Sequence, residues 1–285
     1  MPNRKSQLFR FHDPVYYNIG NEYADLHPVF WVNGGHVGNA VNAVYGSNQW
    51  LAKYPNGSWD ESRLADTVDQ SKFADQWVEA MKPLAMAAKQ RGDYVYLDLE
   101  HIPYRFGDSI DLRYAYLAAK TFRDTAPGLK LGFYCLPLGF DVITSNEEMI
   151  QFAKKPTLAP VKAGVEKLKP IIELLDSVDI PAYLQHQVTT ERDLDYFVAE
   201  RKVMEKFFPK TPFIYSAWGR YQYEQDAAGN RLPEGAAPET AIVPLAVLKR
   251  YASILTRWGD DVILFDLQSP RDDFFVDELR RKVAA

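Results

Sequence analysis

At 285 residues, with 47% hydrophobic and 25% charged residues, the chain has ordinary globular composition and a length that suits one α/β barrel domain. A formal net charge of -5 argues against nucleic acid as the main partner, because phosphate binding calls for a basic surface. The one cysteine, Cys135, excludes an intrachain disulfide, and no apolar stretch approaches the length of a membrane span.

Residues 1–7 are polar and lack an apolar h-region, so no signal peptide is expected, and the chain reads as cytoplasmic or as a trimmed secreted form. Residues 1–25 show no clear period and are expected to form an N-terminal extension. Residues 28–33 are an apolar run stopped by Gly34 and Gly35, which predicts a buried strand ending in a turn. The stretch 36–60, rich in Gly, Asn and Trp, reads as a long loop with a short strand at 43–45. Leu64, Val68, Phe73, Trp77, Met81 and Leu84 recur at helical spacing, predicting a helix over 60–90 that ends at Arg91, Gly92 and Asp93.

A strand over 94–100 follows, then a helix over 112–125 stopped by Pro127 and Gly128, and a strand over 129–138 that holds Cys135 as a small buried hydrophobe. Residues 147–153 and 160–175 read as helical, 178–187 as a strand, 191–208 as an amphipathic helix and 212–218 as a strand. A polar loop over 225–238 precedes a helix over 241–257, a last strand over 261–268 and a closing helix over 274–283. Strand and helix alternate throughout, which implies parallel strands wrapped by helices. About seven strands favour a TIM-like (β/α) barrel of seven or eight parallel strands, read as one catalytic domain over 1–285, with no internal repeat.

The chemistry centres on residues 94–100. Val95, Leu97 and Leu99 share one strand face, and Tyr94, Tyr96, Asp98 and Glu100 share the other, because side chains alternate along a strand. In a barrel the apolar face packs on the helices, and the acids lie at the C-terminal end of the strand, where barrel active sites form. Two carboxyls this close cannot ionise independently, so one keeps its proton to higher pH. A protonated acid beside a carboxylate is what glycoside cleavage uses. Glu100 is the expected general acid, and Asp98 orients the reacting group. The bland alternative is a structural pair, with Asp98 hydrogen-bonded in the barrel and Glu100 paired with an arginine such as Arg105.

The rival chemistry is a metal site built on His36, His101 and His186 near predicted strand ends, but no H-x-H or H-E-x-x-H spacing occurs. No metal and no cofactor is therefore expected. Aromatic residues reach 14%, which fits either an aromatic core or a cleft that stacks sugar rings. Trp31 and Asn33, at the end of the first strand, plug the barrel or line that cleft, and Tyr134 is core or cleft. Trp218, before a long loop, is a candidate for stacking on a sugar. Gln185 and Gln187 need hydrogen bonds inside a strand, from the barrel or from substrate.

The strand from Tyr96 to Pro103 resembles the Asp-x-Glu strand of hyaluronidases and, more distantly, of chitinase-type hydrolases. Pieces in the same order resemble that family's pattern elsewhere: 28–33, 130–137, 180–184, and 196–205 followed by 212–215. The resemblance implies a seven-stranded barrel and a retaining, substrate-assisted mechanism at an N-acetyl sugar. It implies Glu100 as acid then base, Asp98 as the residue that positions the acetamido group, and Tyr183 and Tyr215 as hydrogen-bond partners of that group. Where the family's last strand carries a tryptophan, this chain has Asp266 and Gln268, which makes Asp266 an alternative nucleophile. The expected function is thus a glycoside hydrolase acting on a polysaccharide or glycan, with a carbohydrate as its substrate partner. The alternatives are a carbohydrate-binding barrel without catalysis and a metal-dependent hydrolase.

Overall fold

The computed structural model describes residues 5–11, 23, 25–32, 40, 51–53, 59–64, 70–91, 94–99, 109–134, 154, 166, 168–184, 190–221, 243–264 and 270–284. Its strands are β1 (Leu8–Phe11), β2 (His27–Val32), β3 (Leu51–Lys53), β4 (Trp59–Leu64), β5 (Tyr94–Leu97), β6 (Lys130–Phe133), β7 (Val178–Pro181), β8 (Phe213–Ala217) and β9 (Asp261–Leu264). Its longer helices are α1 (Gln70–Arg91), α2 (Ser109–Thr125), α3 (Thr190–Phe207), α4 (Leu245–Leu255) and α5 (Pro270–Ala284). β3 and β4 pair as an antiparallel hairpin. The other seven strands are parallel and belong to a TIM-like (β/α) barrel. The chain forms two compact units: Met1–Pro28, Val142–Val161 and Asp179–Ala285 in one, Val29–Asp141 and Lys162–Val178 in the other.

In the second of these units, β5 lies between β2 and β6, with Trp31, Tyr96 and Gly132 level across the three strands. Phe30, Val32, Val95, Leu97, Leu131 and Phe133 share the opposite face by alternation. That apolar face is the one amphipathic helices must cover. α1 and α2 pack on each other through buried residues that include Trp77, Met81, Tyr114 and Phe122 among small alanines. The Trp77 indole donates to the Tyr114 carbonyl at 3.1 Å, and the two rings lie 5.7 Å apart. Pro83 stands inside α1, where it removes a helical hydrogen bond at about 3 kcal/mol; burial of the Trp77–Ala88 stripe offsets it. Trp77→Ala is expected to destabilise the protein by about 3–5 kcal/mol. A urea midpoint close to that of the parent would show that Trp77 is not the packing centre of the pair.

α2 stops where the composition says it should. Gly128 takes φ +88°, a left-handed backbone that a side chain disfavours. Arg123 then ties the helix end to its surroundings, donating to the carbonyls of Leu174 at 2.5 Å and Leu129 at 2.8 Å and to Asp176 Oδ2 at 2.6 Å. The same Asp176 oxygen accepts the Leu131 N–H at 2.7 Å, which anchors β6.

In the other unit, β9 lies between β1 and β8, and β7 follows β8. β1 falls within the stretch expected to be an extension. Four residues are too few to show a period, and the partner that stabilises them, β9, lies some 250 positions on. Leu8 and Phe9 are buried, and the Gln7 N–H donates to Asp261 Oδ1 at 2.9 Å. Behind the sheet, Tyr251 stacks on Phe275 with ring centres 4.9 Å apart, and its hydroxyl donates to the Ala182 carbonyl. Arg201 forms a buried two-point pair with Asp260, at 2.5 and 3.1 Å, and its guanidinium lies 3.8 Å from the Phe213 ring centre.

Beside it, Glu200 is buried, and its Oε2 has no hydrogen-bond partner among the described residues. Burial, reinforced by the negative charge of Asp179, pushes the Glu200 carboxyl well above the ordinary carboxylate range. The fold therefore accommodates the protonated form. The stability this contributes is complete below about pH 4.3, the ordinary glutamate value, and is lost as pH rises through the raised folded-state value. Glu200→Gln should leave stability unchanged near pH 4 and raise it at pH 8, where the unfolded chain has released the proton that the buried carboxyl retains. Thermal unfolding at the two pH values checks this; equal effects at both would show that Glu200 does not titrate in this range.

The expected helix over 60–90 is corrected at its start: 59–64 is strand β4, and the helix begins at Gln70. Leu64 fits the helical spacing by coincidence, and the hairpin partner that makes 59–64 a strand is invisible to a local period. The expected strand at 43–45, the helix at 147–153 and the loop at 225–238 lie outside the described residues.

Candidate active site

Asp98 follows the last residue of β5, at the C-terminal end of the strand. The ladder continues past the strand ends: the Asp98 N–H donates to the Val32 carbonyl at 2.8 Å, and the Tyr134 N–H to the Leu97 carbonyl at 2.8 Å. Both residues are thereby held on a rigid backbone. The Asp98 side chain is buried, and its Oδ2 accepts the Trp31 indole N–H at 2.9 Å. Tyr96 and Tyr134 meet edge to face, with ring centres 6.5 Å apart. Below them, the Tyr94 hydroxyl hydrogen-bonds the Ser177 hydroxyl at 2.6 Å. The second unit thus brings Trp31 to Asp98, and Tyr96 to Tyr134.

Gly132 makes room for this cluster. A methyl group there would stand 2.6 Å from the Tyr96 ring and 2.8 Å from the Tyr94 hydroxyl. The sequence signal was the lone glycine inside an apolar strand, which marks a close approach of a neighbour.

The other unit assembles a second group of the expected residues. Tyr183 lies just beyond β7 and Trp218 just beyond β8; their ring centres are 4.7 Å apart. The Arg220 guanidinium lies 4.9 Å from the Trp218 ring centre. Trp218 is half-buried, and its indole N–H has no acceptor among the described residues.

Tyr215 is placed differently. It alternates with Phe213 on the side of β8 where Arg201 of α3 packs, and it is fully buried. Burial, with the nearby Asp260 charge, raises its hydroxyl well above the ordinary tyrosine range, against the opposing charge of Arg201. On the other face of β8, Ser216 donates to the buried Asp179 Oδ1 of β7 at 2.6 Å. This acid was not among the expected site residues; its signal was a lone carboxylate between Val178 and Ile180.

Asn33, His36, Glu100, His101, Cys135, Gln185, His186, Gln187, Asp266 and Gln268 lie outside the described residues. Among the described residues no group of three His, Cys, Asp or Glu side chains comes together as a metal site. No described helix is long and apolar enough to cross a membrane.

The fold is a (β/α) barrel, and Asp98 lies just past the C-terminal end of its strand, the end at which such barrels carry their chemistry. Among solved structures, the chain is similar to bee venom hyaluronidase over 99% of its own length and 100% of that chain, with a TM-score of 0.53 and 12% identity. Against bee venom hyaluronidase in complex with a hyaluronic acid tetramer the coverage is 90% and 95%, the TM-score 0.55 and the identity 13%. At this identity the likeness is one of fold. No protein-family model and no curated protein sequence matches the chain.

Proposed function

We propose that this chain is a glycoside hydrolase that cleaves a polysaccharide or glycan with retention, with Glu100 as general acid and base and Asp98 as the group that positions the substrate. The observation that carries the reading is Asp98 itself: a carboxylate buried at the C-terminal end of a barrel strand, held by an indole donor and flanked on its strand by Tyr96. Burying a charge on a packed aromatic face is unfavourable unless the charge is used or paired. The fold shared with an enzyme solved with a sugar chain bound supports the same reading.

In this mechanism Glu100 donates a proton to the leaving oxygen and then takes one from water. Asp98, held in place by Trp31, orients the acetamido group of an N-acetyl sugar, whose carbonyl attacks the anomeric carbon. Asp266 is the alternative nucleophile if the cleaved sugar has no acetamido group. In this reading Trp31, Asn33 and Tyr134 are the sugar-site residues of the second unit, with the fully buried Tyr96 packed against Tyr134 as their support; in the other unit they are Gln185, Gln268 and the stacked pair of Tyr183 and Trp218. Tyr215, packed on the α3 side of β8, supports the strand instead of touching sugar.

The test is a screen of the purified protein against a glycan panel, with Glu100→Gln beside it. Cleavage of one glycan class by the parent and none by the variant supports the reading. Binding of a glycan with no product from either protein on long incubation would replace it with a carbohydrate-binding role.

A further inference from the structure

Trp31 was expected to plug the barrel or to line a sugar cleft, and either task needs only its ring. The structure gives it a third one. It stands level with Tyr96 on the neighbouring strand, one alternation below Asp98. The Asp98 backbone is fixed to Val32 at 2.8 Å, so the carboxylate cannot drift along the strand. Into that fixed position the Trp31 indole donates at 2.9 Å.

An indole N–H is a donor and never an acceptor. The oxygen facing it must therefore offer a lone pair, which Oδ2 does in the carboxylate and loses if a proton sits there. A hydrogen bond to the charged form of a carboxyl favours that form. A phenylalanine would fill the same apolar volume and stack as well on a sugar, but it would leave Asp98 buried without this donor.

We propose that Trp31 is a positioning residue: its indole N–H fixes the Asp98 carboxylate at the strand end and holds it in its charged form. The consequence for catalysis rests on the glycosidase reading above; the contact and its effect on Asp98 do not. Trp31 acts through Asp98 and touches no reacting atom in this role.

The experiment has two arms. In the first, tryptophan indoles are labelled with nitrogen-15, and the Trp31 signal is identified by its loss in Trp31→Phe. Asp98→Asn replaces the charged acceptor by a neutral one, so the Trp31 indole proton should move upfield at neutral pH while the other five tryptophans (six in all) stay in place. An unchanged Trp31 signal overturns the proposal. In the second arm, Trp31→Phe should shift the acid limb of kcat/KM to higher pH by about one unit, an approximately tenfold loss on the acid side beyond whatever pH-independent loss follows from the altered sugar contact. An equal loss at every pH would mean that Trp31 only packs or binds sugar, and also overturns it. If the parent cleaves no glycan, the glycosidase reading fails, and the first arm still decides what Trp31 does to Asp98. If Trp31→Phe does not fold, the first arm reads whether any one of the six indole signals moves upfield in Asp98→Asn, and no movement overturns the proposal.

Discussion

Glu100→Gln is expected to lower turnover by about two to four orders of magnitude on any glycan the parent cleaves, with the circular dichroism of the parent. Glutamine keeps the shape of the side chain and both hydrogen-bonding positions, but it has no proton to give to a leaving oxygen. Asp98→Asn is expected to cost less, about two to three orders of magnitude, by a different route. Its amide oxygen can still accept from Trp31, so the geometry seen at 2.9 Å survives while the charge is lost. The two variants therefore separate proton transfer from electrostatic positioning. Steady-state rates at several pH values decide the matter, and near-parental turnover by Glu100→Gln removes Glu100 from the mechanism.

The largest expected effect on stability lies away from that site. Arg201→Met should destabilise the protein by about 3–5 kcal/mol, because it leaves the Asp260 carboxylate buried without its counter-ion. Both side chains are more than nine-tenths buried, and the pair is held by two hydrogen bonds. The substitution also removes the guanidinium that lies over Phe213 and 5.6 Å from the Trp258 ring centre, a contact of about 0.5–2 kcal/mol. Removing both charges, in Arg201→Met with Asp260→Leu, should recover most of the loss, since neither ion then needs to be taken out of water. Urea unfolding of the two single variants and the double variant measures this coupling. A single variant within about 0.5 kcal/mol of the parent, the range of ordinary surface changes, would show that the pair is not carrying load.

The amino-acid sequence by itself determined β2 and, from β5 onward, the order of the described strands and longer helices, because apolar runs, helical periods and turn residues are local signals. It placed the end of α2 at Pro127 and Gly128, where the backbone does turn left-handed. It also divided 94–99 into an apolar face and a tyrosine–carboxylate face, since the alternation of side chains along a strand follows from backbone geometry alone. The resemblance of that strand to the hyaluronidase pattern pointed to the same fold that the solved structures share.

Tertiary structure decided what depends on residues far apart in the chain. β1 exists because β9 offers it a ladder, and 59–64 is a strand because β3 pairs with it; neither partner leaves a trace in a local window. The role of Trp31 depends on a carboxylate 67 positions away, and the use of Gly132 depends on the Tyr96 ring that fills its missing side chain. Tyr215 shows the same principle in reverse. Its motif suggested a sugar contact, but the face of a strand residue is set by register and packing, and here Arg201 marks that face as the helix side. Local chemistry named the acids; only the pairing of distant strands determined which groups hold Asp98.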